Sequence, residues 1–270
     1  MKKLLVTSAI GMGDILYLKS SLDAIKHEYD QIDIHFAMGL IRWLKRNEDY
    51  ADFVLELANL LFNEPPYTIV ESGPEFRSMA EYFLHYNIKV IKPDLPILCQ
   101  GQSLGIDPYL VITTKVRYFS GDLFKNNELW DTLKQLPYKI VVLGEREVEM
   151  NHEYINDNNI YGPSVYSIYP ELVKNLGDKI IDMTIPALGI TSPNIKQLRQ
   201  DALIMSEAKS MITFGIGGNF TLGMSVAKNL VGFNQSTEFY AGAIFSHSEQ
   251  VGNSFVTSNA QTFLKKIGEL

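Results

Sequence analysis

The sequence predicts an α/β protein built from two Rossmann-like units, each on a parallel sheet, facing one another across an interdomain cleft. Three observations predict this. Residues 3–37 run strand, helix, strand, the pattern of a parallel βαβ unit with a right-handed crossover. After a proline- and glycine-rich stretch the pattern restarts at Tyr109. Each half also carries glycines where a strand meets a helix, at Gly11-Met-Gly13 and at Gly215-Ile-Gly-Gly218.

Lys3–Ser8 reads as a short buried strand. Ile15, Leu18, Leu22, Ile25 and Tyr29 then recur at helical spacing with one apolar face. Ile32–Ala37 is a second strand. A helix is expected at 40–46, short strands at Phe53–Leu57 and Thr68–Glu71, a helix from Gly73-Pro74 to His85, and a strand at Ile88–Ile91. Residues 93–108 hold three prolines and two glycines without periodicity, which puts a domain boundary near residue 105. The units are therefore 1–105 and 106–270, with the last helix free to pack back on the first unit.

In the second half, Tyr109–Thr114 and Lys139–Leu143 are apolar strands separated by a helix over 126–135. Residues 151–163 are rich in Asn and Tyr and read as a loop or lid. Asp178–Met183 is a strand. Ser192-Pro193 has the N-cap and first-turn signature of a helix, with Ile195, Leu198, Ala202 and Met205 as its apolar face. Ser210–Phe214 runs into the second glycine loop, a helix reaches Lys228, Leu230–Phe233 is a strand, and Ser258–Ile267 is a final amphipathic helix.

Composition narrows the function. The 270 residues are 46% hydrophobic and 20% charged, the balance of a globular protein with a sizeable core. The net charge of −7 disfavours generic binding of nucleic acid or anionic lipid. Local basic patches remain at Ile41-Arg-Trp-Leu-Lys-Arg46 and at Lys115-Val-Arg117. Cys99 is the one cysteine, which excludes an intrachain disulfide and fits a reducing cytoplasm. The apolar run after Met1-Lys-Lys is too short for a secretory signal, and no run reaches the ~20 residues of a membrane span.

Gly11-Met12-Gly13-Asp14 lacks the third glycine of a dinucleotide fingerprint and the lysine of a P-loop. Asp14 has two readings: a helix cap, or a base that takes a proton from a hydroxyl. Phe214-Gly-Ile-Gly-Gly-Asn-Phe-Thr221 lets backbone approach a ligand at a helix N-terminus, where free N–H groups suit a phosphate. Asn219 and Thr221 add side-chain donors; the other reading is a plain strand-to-helix turn. Lys115 and Arg117 stand at the same sheet end and could neutralise a diphosphate, or be solvated. Glu145 and Glu147 could accept from ribose hydroxyls, or simply sit in a helix first turn. The five histidines show no ligand spacing, so no metal site is expected. No Gly-x-Ser-x-Gly elbow is present.

With these residues in view, the chain resembles the heptosyltransferase-like GT-B glycosyltransferases of bacterial surface polysaccharide synthesis. The opening strand with Gly-Met-Gly-Asp carries the likeness, as does the block Asp201-Ala-Leu-Ile-Met-Ser-Glu-Ala-Lys-Ser-Met-Ile-Thr-Phe-Gly-Ile-Gly-Gly-Asn-Phe-Thr-Leu-Gly223. The resemblance implies a catalytic base at Asp14 beside Gly11 and Gly13. It implies phosphate contacts from Lys115 or Arg117, a ribose contact from Glu145, and a donor loop at Gly215, Gly217, Gly218, Asn219 and Thr221. The family's acid and histidine in that block are replaced here near Ile216 and Thr221. The implied partners are a nucleotide-sugar donor and a glycan or glycolipid acceptor, with no cofactor and no nucleic acid. The implied setting is the cytoplasm or the inner face of its membrane, with peripheral membrane contact. A sugar-nucleotide epimerase and a non-catalytic nucleotide-binding protein on the same fold are the alternatives.

Overall fold

Two parallel sheets carry the chain, and the apolar face between them is shared. The computed structural model describes residues 2–8, 11–36, 48–70, 88–116, 122–147, 166–186, 194–215, 217–234, 244–245 and 248–270. The first sheet has the order β1-β2-β3, with β1 at Lys3–Ser8, β2 at Gln31–Phe36 and β3 at Tyr67–Val70, all parallel. Helix α1 (Met12–Ile25) crosses from β1 to β2, and α2 (Glu48–Leu61) leads into β3. Leu4, Val6, Ile32 and Ile34 are buried, whereas Leu5 on the other face is 40% exposed. The alternation is that of a sheet with one covered face.

The second sheet is larger. Its strands are β4 (Tyr109–Thr113), β6 (Lys139–Leu143), β8 (Ile180–Asp182), β9 (Ser210–Phe214), β10 (Leu230–Phe233), β11 (Gln250–Val251) and β12 (Ser254–Thr257). The spatial order is β11-β12-β10-β9-β4-β6-β8, parallel except for the β11–β12 edge. A small antiparallel ladder joins β5 (Lys115–Val116) to β7 (Tyr166–Ser167). The helices are α3 (Asn127–Gln135), α4 (Tyr169–Leu176), α5 (Ile195–Glu207), α6 (Gly218–Val226) and α7 (Ala260–Gly268).

Strand residues alternate between two cores, as a sheet covered on both faces requires. Tyr109, Val111, Val141, Leu143 and Met211 face a cluster containing α1, α2, α5, α6 and the first sheet. Leu110, Ile112, Ile140, Val142 and Phe214 face the opposite cluster with α3, α4 and α7. The first core runs without a break from Val6 and Ile34 to Met211 and Leu230.

Several elements differ from expectation. Phe53–Leu57 is not a strand but the middle of α2. Phe53, Val54, Leu57, Ala58 and Leu61 are all buried at helical spacing, and that period wins over a reading of five residues as a short apolar strand. Among the described residues Ile88–Ile91 pairs with no strand. It runs extended beside α1, where Ser21 Oγ accepts from Ile91 N–H at 3.1 Å. Further along, Leu95 N–H donates to Ser225 O at 3.0 Å and Lys92 Nζ to Met224 O at 2.8 Å, so this segment stitches α1 to α6. The N-cap of α5 is Asn194, whose Oδ1 accepts from Gln197 N–H at 2.9 Å, rather than Ser192. Helix α7 packs on α3, β10 and β12 of its own unit. Helix α4 and strand β12 are elements that the sequence reading did not anticipate. The helices expected at 40–46 and 74–85 and the lid at 151–163 fall outside the described residues.

Candidate functional site

The first glycine loop ends in the N-terminus of α1. Gly11 is the N-cap, in an extended conformation, and its N–H donates to Asp14 Oδ2 at 3.0 Å. This is the half of a capping box that a glycine N-cap can make, since it has no side chain to return the bond. The cap reading of Asp14 is therefore realised.

The second loop ends in the N-terminus of α6. Gly215 takes the left-handed conformation (φ 75°) as the chain leaves β9, and its N–H donates to Phe233 O at 2.7 Å. Gly217 caps the helix, accepting from Thr221 N–H at 3.0 Å and from Thr221 Oγ1 at 3.2 Å. The N–H groups of Gly218, Asn219 and Phe220 are left without intrahelical partners, as in the first turn of any helix.

The two loops touch rather than face one another across a gap. A Cβ at Gly13 would stand 3.0 Å from Thr221 Oγ1 and 3.8 Å from Gly218 Cα. A Cβ at Gly218 would stand 2.5 Å from Met12 Cε. Glycine at both positions is what lets the two helix starts approach this closely. One turn along α1, at the i+3 position from Asp14 that shares its face, Tyr17 is buried with the Thr221 hydroxyl beside it. Burial, and then the negative Asp14, push the phenol well above its ordinary pKa, against the opposing pull of the Thr221 hydroxyl. Two helix N-termini thus meet here; the Asp14 carboxylate already answers the partial positive charge of α1, and the free N–H groups of α6 suit an anion.

A second group gathers at the carboxyl ends of β4 and β6. Gly144, with φ 104°, turns the chain so that Glu145 O accepts from Thr114 Oγ1 at 2.7 Å and Ser167 Oγ at 2.8 Å. Lys115 Nζ lies 3.2 Å from Glu145 Oε1 and 3.1 Å from Oε2, with side-chain exposures of 19% and 8%. The expected phosphate cation and the expected ribose acid are therefore paired with each other. A Cβ at Gly144 would stand 3.4 Å from Asn219 Nδ2, so Asn219 bridges the α6 start to this second group. Thr113 Oγ1, buried at the end of β4, has no hydrogen-bond partner.

Among the sequence-derived site residues, Gly11, Gly13, Asp14, Gly217, Gly218 and Thr221 come together at the helix starts. Lys115, Glu145 and Asn219 come together beside them, and Gly215 contributes backbone only. Arg117 and Ile216 lie outside the described residues. Tyr17, Thr114 and Ser167 were not anticipated. Only Tyr17 had a usable signal, its spacing from Asp14. Among the described residues no three His, Cys, Asp or Glu side chains converge as a metal site needs.

The arrangement is α/β with two parallel-sheet units, the GT-B heptosyltransferase type of fold. Two solved structures of TibC, the dodecameric iron-containing glycosyltransferase of enterotoxigenic E. coli H10407, match it with a TM-score of 0.50. One of them is in complex with ADP-D-beta-D-heptose. Identities are 12% and 13%, over 96% of this chain and 62% of TibC. The chain thus spans under two thirds of that protein, and the likeness is one of fold. The E. coli ADP-heptose lipopolysaccharide heptosyltransferase II matches at 16% identity and TM-score 0.48, over 100% of this chain and 97% of that one. No protein-family model and no curated protein matches the sequence.

Proposed function

We propose that the protein is a glycosyltransferase that moves a sugar from a nucleotide-sugar donor to a hydroxyl acceptor, with inversion, in surface glycan synthesis. The observation that carries this reading is the meeting of the α1 and α6 N-termini beside the Lys115–Glu145 pair at the carboxyl edge of the second sheet. Ligands of open parallel sheets bind at that edge. In this reading the donor diphosphate sits on the N–H groups of Gly218 and Asn219, and Lys115 turns from Glu145 to share its charge with the phosphates. Glu145 then accepts from the ribose hydroxyls.

Asp14 removes the proton from the acceptor hydroxyl, whose oxygen attacks the anomeric carbon. The bond from that carbon to the phosphate oxygen breaks, and the nucleoside diphosphate leaves with the electron pair. One displacement inverts the anomeric centre. A positioned base contributes ~10²–10⁴-fold. Donors aimed at the growing leaving-group charge are the largest contribution in such chemistry, and here Lys115 and helix amides supply them without an essential metal.

A second reading, a nucleotide-binding protein without transfer, is favoured by the engagement of Asp14 with Gly11 N–H. Asp14→Asn separates the two, because its amide oxygen still accepts from Gly11 N–H and only the base is lost. Nucleotide sugars are incubated with a bacterial glycolipid extract, and acceptor-dependent release of nucleoside diphosphate is followed. Transfer is expected to fall at least 100-fold in Asp14→Asn with donor binding kept. Transfer at the wild-type rate would leave Asp14 as a helix cap alone.

A further inference from the structure

Arg146 follows Glu145 directly and is held more tightly than a half-exposed arginine usually is. Its Nε donates to Thr184 Oγ1 at 2.9 Å and its Nη2 to Asp182 Oδ2 at 3.0 Å. The guanidinium carbon lies 5.6 Å from the centre of the Tyr169 ring. Tyr169 OH donates to Asp182 Oδ2 at 2.6 Å, and Thr184 N–H donates to Asp182 Oδ1 at 2.9 Å. Asp182 is itself held by Tyr169 and Thr184, so the acceptor that fixes the arginine does not move. The backbone is fixed as well, with Arg146 N–H on Ile185 O at 2.9 Å. Among the described residues the Nη1 donors of Arg146 have no partner, and the side chain is 52% exposed. A flexible arginine has thus been oriented by three side-chain groups with one edge of its fork turned outward.

Its position gives that edge a use. Consecutive Cα atoms are about 3.8 Å apart, and β6 and β8 are neighbouring strands about 4.8 Å apart. A nucleoside whose ribose is held at Glu145 therefore has its base within reach of the β8 edge, where Tyr169, Asp182 and Thr184 hold Arg146. The pair with Asp182 leaves the cluster without net charge, so it draws a neutral acceptor better than a second phosphate. Guanidinium offers donors only. A base carbonyl satisfies them, and guanine presents O6 and N7 side by side for one edge of the fork. The amino group of adenine would set donor against donor.

We propose that Arg146 reads the base of the donor nucleotide and selects a 6-oxo purine or 4-oxo pyrimidine, guanine or uracil, over adenine and cytosine, which carry an amino group at that position. This rests on the nucleotide site proposed above. The test is calorimetric titration of GDP, UDP, ADP and CDP into the wild-type chain and into Arg146→Ala. The wild type is expected to bind GDP or UDP at least 10-fold more tightly than ADP and CDP, and the separate titrations tell guanine and uracil apart. In Arg146→Ala that preference shrinks to within about 2-fold, through weaker GDP or UDP binding at unchanged ADP affinity. A wild-type preference for ADP, equal affinities, or a preference that survives Arg146→Ala overturns the base reader and leaves the nucleotide site standing. Binding of none of the four removes the nucleotide site and the base reader together.

Discussion

Tyr17 of α1 is buried beside the hydroxyl of Thr221 on α6, across the junction of the two sheet units. The contact lies at the point where both glycine loops end, and it couples the helix bearing Asp14 to the helix that receives the donor. Tyr17→Phe is predicted to destabilise the fold by about 1 kcal/mol, the usual net worth of one hydrogen bond. A double-mutant cycle with Thr221→Val, read by denaturant unfolding, should give a coupling of about 0.5–1.5 kcal/mol. Additive single effects would mean that the two groups do not interact.

The glycines of α6 should separate by what surrounds them. A Cβ at Gly223 would stand 2.0 Å from Met211 Sδ and 3.4 Å from Leu230 Cδ1, both in buried residues. Gly223→Ala is predicted to cost about 1–3 kcal/mol through overpacking. At Gly218 the obstacle is the flexible tip of Met12, so Gly218→Ala should cost far less. Thermal unfolding of the two variants, compared with wild type, checks the order.

Glu145 and Lys115 form an ion pair that is nearly out of water. Lys115→Met leaves the carboxylate buried without its cation, and a destabilisation of about 1–3 kcal/mol is expected, since breaking one side of a buried pair costs more than the pair is worth. The double variant Lys115→Met/Glu145→Gln should recover most of that loss. Chemical denaturation of the three variants measures it.

Asp201 in α5 gives a pH signature. Burial raises its carboxyl from the usual 3.8 to about 6, although Gln197 Nε2, donating to Oδ1 at 2.7 Å, works the other way. Between those two values the folded chain keeps a proton that the unfolded chain has released. Stability therefore falls as pH rises through this window, and the penalty is complete above it. Asp201→Asn keeps the acceptor for Gln197 and is predicted to raise stability at pH 8 by on the order of 2 kcal/mol. At pH 3.5 it should change little. A gain of the same size at both pH values would contradict the assignment.

The strands β1, β4, β6, β9 and β10 were legible because each is an apolar run, three of them closed by a glycine or a helix start. The two glycine loops were legible for the same reason. Helix α2 was not, because Phe53-Val-Leu-Glu-Leu57 read alone is a short apolar run, and its helical period emerges only when Ala58 and Leu61 are included. The pairing of Tyr17 with Thr221 joins residues far apart in sequence, as does that of Lys115 with Glu145. Residue type and local spacing carry no record of such contacts. Ile88–Ile91 has β-branched composition, yet its partners are Ser21 and, a few residues on, Ser225, so tertiary packing decided its state over propensity.

The central claim is that the start of α6, with Lys115 and Glu145, holds a nucleoside diphosphate. Asn219→Asp tests it most directly. An acid in the first turn of α6 favours the helix, so the fold is kept, while a like charge is set against the phosphates. Calorimetric titration of nucleoside diphosphates should show saturable one-to-one binding of at least one to the wild type, weakened at least 10-fold in Asn219→Asp. No binding to the wild type at millimolar ligand, or equal affinity in the variant, would contradict the account.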